Sequence, residues 1–113
     1  MAGYSKLATA TAMIEAYNAQ DADLYVSYMT DDACEAGYRG TVVREGKEGT
    51  REGLRKMFAE FPENRAEIVK AYELGEYVVL HELVRRSAAA EPFEVLTIYS
   101  FEGDKCARVE FIR

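Results

Sequence analysis

The spacing of apolar residues changes at Pro62, and this change divides the chain into a helical part and a strand part. Before Pro62 the apolar residues recur every three or four positions, which is the period of one helix face. After Pro62 they alternate with polar residues, which is the period of a β-strand. The pattern therefore predicts a group of helices followed by a sheet.

The first part contains two predicted helices and a strand before its last helix. The first helix spans Tyr4–Tyr17, and Asn18 follows it as a residue that tolerates the left-handed conformation of helix ends. Asp21 is the expected N-cap of a short second helix, which stops before Thr30. The face of the first helix carries Leu7, Ala10, Ile14 and Tyr17.

A third helix is predicted between Thr50, its expected N-cap, and Pro62, which ends it. Its apolar residues have the spacing of one helix face: Leu54, Met57, Phe58 and Phe61. Residues 41–49 are charged and rich in Gly, and they predict a loop, with a short strand at Thr41–Arg44 as the alternative.

Strands are predicted from the alternating segments and from the turn residues between them. Gly75-Glu76 and Gly103-Asp104 are typical of hairpin turns, and Ser87–Pro92 is a longer connection. The sequence thus predicts one α+β domain, residues 1–113, whose helices pack on one face of an antiparallel sheet. The predicted strands are Ala33–Tyr38, Arg65–Leu74, Tyr77–Arg86, Phe93–Glu102 and Lys105–Arg113.

Composition narrows the range of functions. The formal net charge of −6 argues against a nucleic-acid-binding protein, because phosphate contacts need clustered Lys and Arg. No apolar run reaches the length of a membrane span, and the N-terminus lacks the apolar segment of a signal peptide, so a cytoplasmic location is expected. Cys34 and Cys106 form no C-x-x-C unit and the chain has one His, so no metal site is expected. Phosphate-binding Gly-rich loops are also absent, and no cofactor is implied.

Four segments resemble the nuclear-transport-factor-two-like superfamily, particularly its ketosteroid-isomerase and SnoaL-like branches. The segments are Y-N-A-Q-D-A-D-L at Tyr17–Leu24, M-T-D-D-A at Met29–Ala33, E-G-T-R-E-G-L-R-K-M-F at Glu48–Phe58, and the terminal hairpin I-Y-S-F-E-G-D-K-C-A-R-V-E-F. The resemblance implies a cystatin-like cone, in which a curved sheet wraps around a long helix and encloses an apolar pocket. It also implies a small apolar ligand and a homodimer.

The catalytic residues of ketosteroid isomerases do not carry over to this chain. The resemblance places the proton-shuttling Asp and the Pro after it at Gly37 and Tyr38, the oxyanion-hole Tyr at Met13, and its protonated Asp partner at Thr97. All three roles are vacant, so the resemblance does not extend to classical ketosteroid isomerisation.

The same alignment predicts which side chains point into the cone, because side chains alternate along a strand. Glu35 is expected inside, together with His81 on the central strand, while Glu82 is expected on the outer face. His81 is then the candidate acid or base, and Glu35 its partner. The other residues expected inside are Gly37, Val79, Leu83, Thr97, Tyr99, Val109, Phe111 and Arg113.

Alternatives remain open for these candidates. His81 is otherwise a core histidine held by a Tyr, a Glu or the backbone, and a strand shifted by one residue would turn Glu35 to solvent. Phe58 is either a core residue or part of the pocket wall. The candidate ligand-contacting residues are Tyr17, Phe58, Thr97, Tyr99 and Phe111.

Two functions are consistent with the sequence. One is a small-molecule-binding cone, with isomerase- or cyclase-like acid/base activity on an apolar carbonyl compound. The other is a non-catalytic homodimeric accessory module whose cone is filled by its own side chains. A cavity well under about 300 Å³ would favour the second function.

Overall fold

The computed structural model describes residues 5–113, and these residues form three helices and six strands. Their order matches the prediction, except that Val42–Glu45 is a strand where a loop was expected and a strand was the alternative. The α+β class is therefore confirmed. Tyr4, the predicted first residue of the first helix, lies outside the described residues. The elements are α1 Lys6–Asn18, α2 Ala22–Ser27, β1 Met29–Gly37, β2 Val42–Glu45, α3 Gly46–Glu60, β3 Arg65–Leu74, β4 Tyr77–Arg85, β5 Phe93–Glu102 and β6 Lys105–Ile112.

The end of α1 differs from the prediction. The left-handed residue is Gln20, with a φ of 59°, and not Asn18. The side chain of Asn18 instead pairs with the backbone of Ala66 on β3: its Nδ2 donates to Ala66 O at 2.9 Å and its Oδ1 accepts from Ala66 N at 2.7 Å. Asn18 therefore fixes α1 against the sheet, which its local sequence does not reveal.

The start of α3 was also predicted wrongly. The helix begins at Gly46, and Thr50 is a fully buried residue inside it whose hydroxyl donates to Gly46 O at 2.9 Å. Gly46 has a φ of 74°, in the left-handed region that glycine adopts without steric cost. The chain therefore passes from β2 into α3 with no intervening loop. Asp21 caps α2 as predicted, since its Oδ1 accepts from Leu24 N at 3.0 Å.

The six strands form one curved, unclosed sheet in the order β2-β1-β6-β5-β4-β3. The predicted meander β3–β6 is confirmed, and all pairings are antiparallel except β1 with β6, which is parallel. Register shifts occur near Glu35, Ile68 and Ser100, and such bulges bend and twist a sheet locally. The helices lie against the concave side, where α1 contacts β3 and α3 contacts β1.

The faces of β4 are the reverse of the prediction. Val78, Leu80, Glu82 and Val84 are the buried residues of this strand, so Val79, His81 and Leu83 lie on the outer face. Residues directly opposite in an antiparallel ladder share a face. The ladder pairs Leu80 with Thr97 and Val78 with Tyr99, and both β5 residues lie inside as predicted.

The ladder register thus decides the orientation of β4. Both faces of this strand carry apolar residues, so alternation along the strand is compatible with either orientation. No helix among residues 5–113 combines the length and apolar character needed to cross a bilayer.

Candidate functional site

A cavity of about 390 Å³ lies between the concave face of the sheet and the helices. Its walls are mostly apolar, and five charged side chains also reach it: Glu35, Arg44, Glu82, Arg86 and Arg113. The apolar and hydroxyl-bearing lining residues are Ile14, Tyr17, Tyr25, Val43, Leu54, Met57, Val84, Phe93, Val95, Thr97, Tyr99 and Phe111.

Glu82 is the cavity carboxyl group whose hydrogen bonds are least satisfied. The residue is 5% exposed, and its Oε2 atom has no hydrogen-bond partner among residues 5–113. The hydroxyl of Thr97, also buried, lies close to the carboxyl group but not in hydrogen-bond geometry, and it too lacks a partner within the described part of the chain. A buried polar group without a partner is uncommon in native proteins and points to water or a ligand.

Burial raises the pKa of Glu82 from its ordinary value of 4.5 to about 7, because removal from water disfavours the charged form. The nearby Thr97 hydroxyl lowers this pKa by a smaller amount. Near neutral pH the group therefore has both a protonated and an ionised population. A carboxyl group in this state is able to donate and to accept a proton at physiological pH.

Glu35, in contrast, is a paired carboxylate. It is 1% exposed, its Oε1 forms an ion pair with Arg44, and its Oε2 accepts a hydrogen bond from the Tyr25 hydroxyl at 2.7 Å. Strand β2 brings Arg44 to this position, because Glu35 and Arg44 are directly paired in the ladder between β1 and β2. Each carboxylate oxygen of Glu35 thus has a partner, unlike Oε2 of Glu82 among the described residues.

Gly53 on α3 makes room for this ion pair. A Cβ atom at this position would lie 2.7 Å from Arg44 Cδ, a distance that real Cβ atoms essentially never show, and 3.1 Å from Arg44 Cγ, which is also tight. The stem of Arg44 therefore crosses α3 at Gly53, which has no side chain. A residue with a Cβ atom at this position would therefore force the Arg44 side chain or its surroundings to shift.

The solvent-accessible end of the cavity is built around Arg86. Its Nη1 donates to Asn64 Oδ1 at 3.0 Å, and the buried Asn64 in turn donates to the Tyr17 hydroxyl. The guanidinium lies 5.1 Å from the Phe93 ring centroid, and that of the exposed Arg113 lies 4.2 Å from the same centroid. Two cationic groups therefore flank one aromatic ring.

Three phenols line the cavity and keep their protons at neutral pH. Burial raises the pKa of Tyr17, and it raises the pKa values of Tyr25 and Tyr99 well above 10.0. Glu35 adds to the effect at Tyr25, and Glu82 adds to it at Tyr99, because a nearby negative charge disfavours a phenolate. Tyr99 thus provides a neutral hydroxyl close to the buried carboxyl group of Glu82.

Most of the predicted ligand-contacting residues lie where the sequence placed them. Tyr17, Thr97, Tyr99 and Phe111 line the cavity. Phe58 does not: it is buried behind the wall, where its ring packs edge-on against Tyr17 with centroids 5.7 Å apart. Of its two predicted places, the core is the one it occupies.

The predicted pairing of His81 with Glu35 is wrong in geometry. Glu35 points into the cavity as predicted, but His81 lies on the outer face of the sheet with 31% of its side chain exposed. There His81 Nε2 lies 2.7 Å from Oε1 of Glu94, a residue of β5 that is 71% exposed. The sheet separates the imidazole from the cavity, so it does not reach a ligand bound there.

Sequence reasoning missed the roles of Glu82, Arg44 and Arg86 in the lining. A signal for Glu82 does exist, because it is the single charged residue among the even-numbered positions of β4, between Leu80 and Val84. Arg44 and Arg86 carry no such signal, since they lie beside charged or turn residues. Among residues 5–113, no three His, Cys, Asp or Glu side chains are grouped closely enough to hold a metal ion.

Comparison with known proteins identifies the family. The SnoaL-like domain model matches residues 10–109 of the chain. The most similar structures include an uncharacterised cystatin-fold protein from Novosphingobium aromaticivorans, which is 64% identical, with a TM-score of 0.94 over 98% of this chain and 100% of that one. No curated protein matches the sequence of this chain.

More distant structures share the fold alone. A nuclear-transport-factor-two-like protein of unknown function from Cytophaga hutchinsonii is 16% identical, with a TM-score of 0.80 over 98% of this chain and 91% of that one. A SnoaL-like protein from Jannaschia sp., described as a putative polyketide cyclase, is 12% identical, with a TM-score of 0.78 over 95% and 83%. These matches confirm the cone-shaped fold that the sequence predicted.

Proposed function

This chain belongs to the SnoaL-like domain family, and from that premise we propose that it binds a small apolar carbonyl compound in the cone and catalyses proton transfer on it. Glu82 is the acid/base residue of this proposal, in place of His81. The observation that carries the proposal is the buried carboxyl group of Glu82 on the cavity wall, which has a pKa of about 7 and whose Oε2 has no hydrogen-bond partner among the described residues. A perturbed titratable group in an apolar cavity is a recognised mark of a functional site.

The chemistry follows from the groups around Glu82. Its carboxylate form accepts a proton from the carbon next to the ligand carbonyl, which leaves an enolate and a neutral carboxylic acid. The Thr97 hydroxyl and the Tyr99 phenol line the same wall and supply hydrogen bonds to the oxygen on which negative charge develops. Return of the proton to a different atom, or attack of the enolate on a second carbonyl, gives isomerase- or cyclase-like activity.

The size of the cavity supports this function over the non-catalytic alternative. A volume of about 390 Å³ lies above the lower figure of about 300 Å³ for small-molecule sites. The mainly apolar walls suit an apolar ligand body, and the few polar groups suit a ligand with one or two oxygen atoms. The SnoaL-like protein from Jannaschia sp. is described as a putative polyketide cyclase, which belongs to the same reaction class.

Hydrogen–deuterium exchange is the direct test, since it needs no knowledge of the natural substrate. Cyclic ketones and β-keto esters are incubated with the protein in D₂O, and exchange at the α-carbon is followed by NMR. We expect catalysed exchange on at least one compound, and a loss of about 100-fold or more in the Glu82→Gln variant. The His81→Ala variant is the matched control and should keep the activity, because that ring lies outside the cavity.

Two results would contradict the proposal. Exchange that survives Glu82→Gln would remove Glu82 from the chemistry. Failure of every compound to bind or exchange would favour the non-catalytic accessory module.

Homodimer formation, which the resemblance implies, stays a prediction. Light scattering on the purified protein checks it, with about twice the chain mass of 12.7 kDa as the expected result.

A further inference from the structure

The charges on the cavity wall do not balance. Arg44 is paired with Glu35, and Glu82 is partly neutral near pH 7 because of its raised pKa. Arg86 and Arg113 have no carboxylate within 4.0 Å among residues 5–113. Both guanidinium groups line the cavity, so its accessible end carries uncompensated positive charge.

Arg86 is held in one orientation by neutral groups. Its Nη1 donates to Oδ1 of Asn64, which is 1% exposed, and its guanidinium lies over the rings of Phe61 and Phe93 at 5.3 and 5.1 Å. Its Nη1 also contacts Met57 Sδ at 3.5 Å, so neutral side chains hold the guanidinium. A guanidinium fixed before binding loses little conformational entropy when a ligand arrives.

Phe93 connects the cationic end of the cavity to its apolar interior. The guanidinium of Arg113 lies 4.2 Å from its ring centroid, and Val95 and Phe111 continue the apolar wall inward. An anionic group at the arginines therefore has an apolar surface directly behind it. This arrangement matches an amphipathic ligand and not a free inorganic ion.

We propose that Arg86 and Arg113 form a subsite for the carboxylate of a small organic acid whose apolar body occupies the cavity. A planar guanidinium fork matches the two oxygens of a carboxylate, and charge-assisted hydrogen bonds of this kind are among the stronger ones. The subsite deepens the proposed function and rests on it only in requiring that the cavity holds a ligand. The ligand class becomes an apolar keto acid, oriented with its carboxylate outward and its reacting carbon toward Glu82.

The net charge of the chain favours a small acid over a polyanion. At −6 the protein as a whole repels nucleic acids and other extended anions. A single carboxylate on an apolar body of cavity size avoids that repulsion, because only its charged end meets the two arginines.

Matched pairs of acids and amides test the subsite. Isothermal titration calorimetry is run with benzoate, cyclohexanecarboxylate and naphthoate, each beside its neutral amide of nearly equal shape. We expect at least one acid to bind about 10- to 100-fold more tightly than its amide. Arg113→Met and Arg86→Met should each reduce this ratio toward one and leave amide binding nearly unchanged.

Two further variants keep the test decisive. Arg85→Met makes the same change of charge on the neighbouring, exposed residue of β4, and it should leave the ratio unaltered. Arg86→Lys keeps the charge but lacks the planar fork, and it should retain only part of the preference. Circular dichroism establishes that each variant is folded.

The outcomes separate the subsite from the catalytic proposal. If no acid binds more tightly than its amide, or if the preference survives both arginine substitutions, the subsite is overturned. Glu82→Gln should abolish α-proton exchange and preserve the acid preference. Exchange catalysed by the parent protein without any acid preference would refute the subsite alone, whereas an acid preference in the parent protein without any exchange would refute the catalytic role alone.

Discussion

Replacing Glu82 by Gln should change how stability depends on pH. In the folded chain the carboxyl group keeps its proton up to a pKa of about 7, whereas in the unfolded chain it loses it near the ordinary value of 4.5. Between these values the folded state binds more protons than the unfolded state. The free energy of unfolding therefore falls as pH rises through this window, and the loss persists above it.

The size of the effect follows from the two pKa values. A rise from 4.5 to about 7 corresponds to about 3 kcal/mol of unfolding free energy, lost in full above neutral pH. Glutamine has nearly the same shape and no titration. Its amide adds a cost that is independent of pH, so the informative quantity is the change with pH in the difference between the two proteins.

Urea unfolding at a series of pH values measures this quantity. From about pH 4 to about pH 9, the Glu82→Gln variant should gain about 3 kcal/mol relative to the parent protein. Glu102→Gln removes an exposed carboxylate at the end of β5 and serves as the control, with a nearly constant difference expected. When Glu82 is kept and Thr97 is replaced by Val, the fall in unfolding free energy should move to higher pH, because the hydroxyl that lowers the pKa of Glu82 is gone.

A flat difference between parent and Glu82→Gln would refute the reasoning. It would mean that the carboxyl group titrates alike in folded and unfolded chains, and that water reaches it freely. The acid/base role near neutral pH would then lose its physical basis.

Three further predictions concern residues around and outside the cavity. Gly53→Ala should displace Arg44 and leave Glu35 buried without its cation. After the gain in helix propensity, the free energy of unfolding should fall by about 2–4 kcal/mol, which urea unfolding measures. An unchanged unfolding midpoint would contradict this account of Gly53. His81→Ala should lower the free energy of unfolding by no more than about 1 kcal/mol, because the His81–Glu94 pair lies on the outer face of the sheet. A larger loss of stability in thermal denaturation would show that His81 has a role in the core. Burial raises the pKa of Cys106 to about 12, so iodoacetamide should modify this thiol only after unfolding, and mass spectrometry of the native protein should find it unlabelled.

Local sequence patterns predicted a large part of the fold. The helices and the meander are recognisable because their apolar residues recur with the period of a helix or of a strand. Asp21 marks the start of α2 because its side chain caps that helix. The prediction failed where a residue serves a distant partner. Asn18 is a residue type that often ends helices, but its side chain is hydrogen-bonded to the backbone of Ala66.

The candidate site was predicted unevenly for a similar reason. Glu35, Tyr17, Thr97, Tyr99 and Phe111 were placed correctly, because their strands or helix have one clearly apolar face or match the family motifs. The ion pair of Glu35 with Arg44 was not foreseen, since it needs β2 to pair with β1 and a glycine on α3 beside them.

The sequence alone determined the α+β class and the order of most elements, because periodicity and turn residues act over a few neighbouring positions. Its resemblance to the family implied the cone. The tertiary structure alone decided whether His81 or Glu82 faces the cavity. His81 and Glu82 are adjacent on a strand that is apolar on both sides, and a shift of one residue exchanges their faces. That choice is made by the hydrogen-bonded register of β4 against β5, where Leu80 meets Thr97 across the ladder.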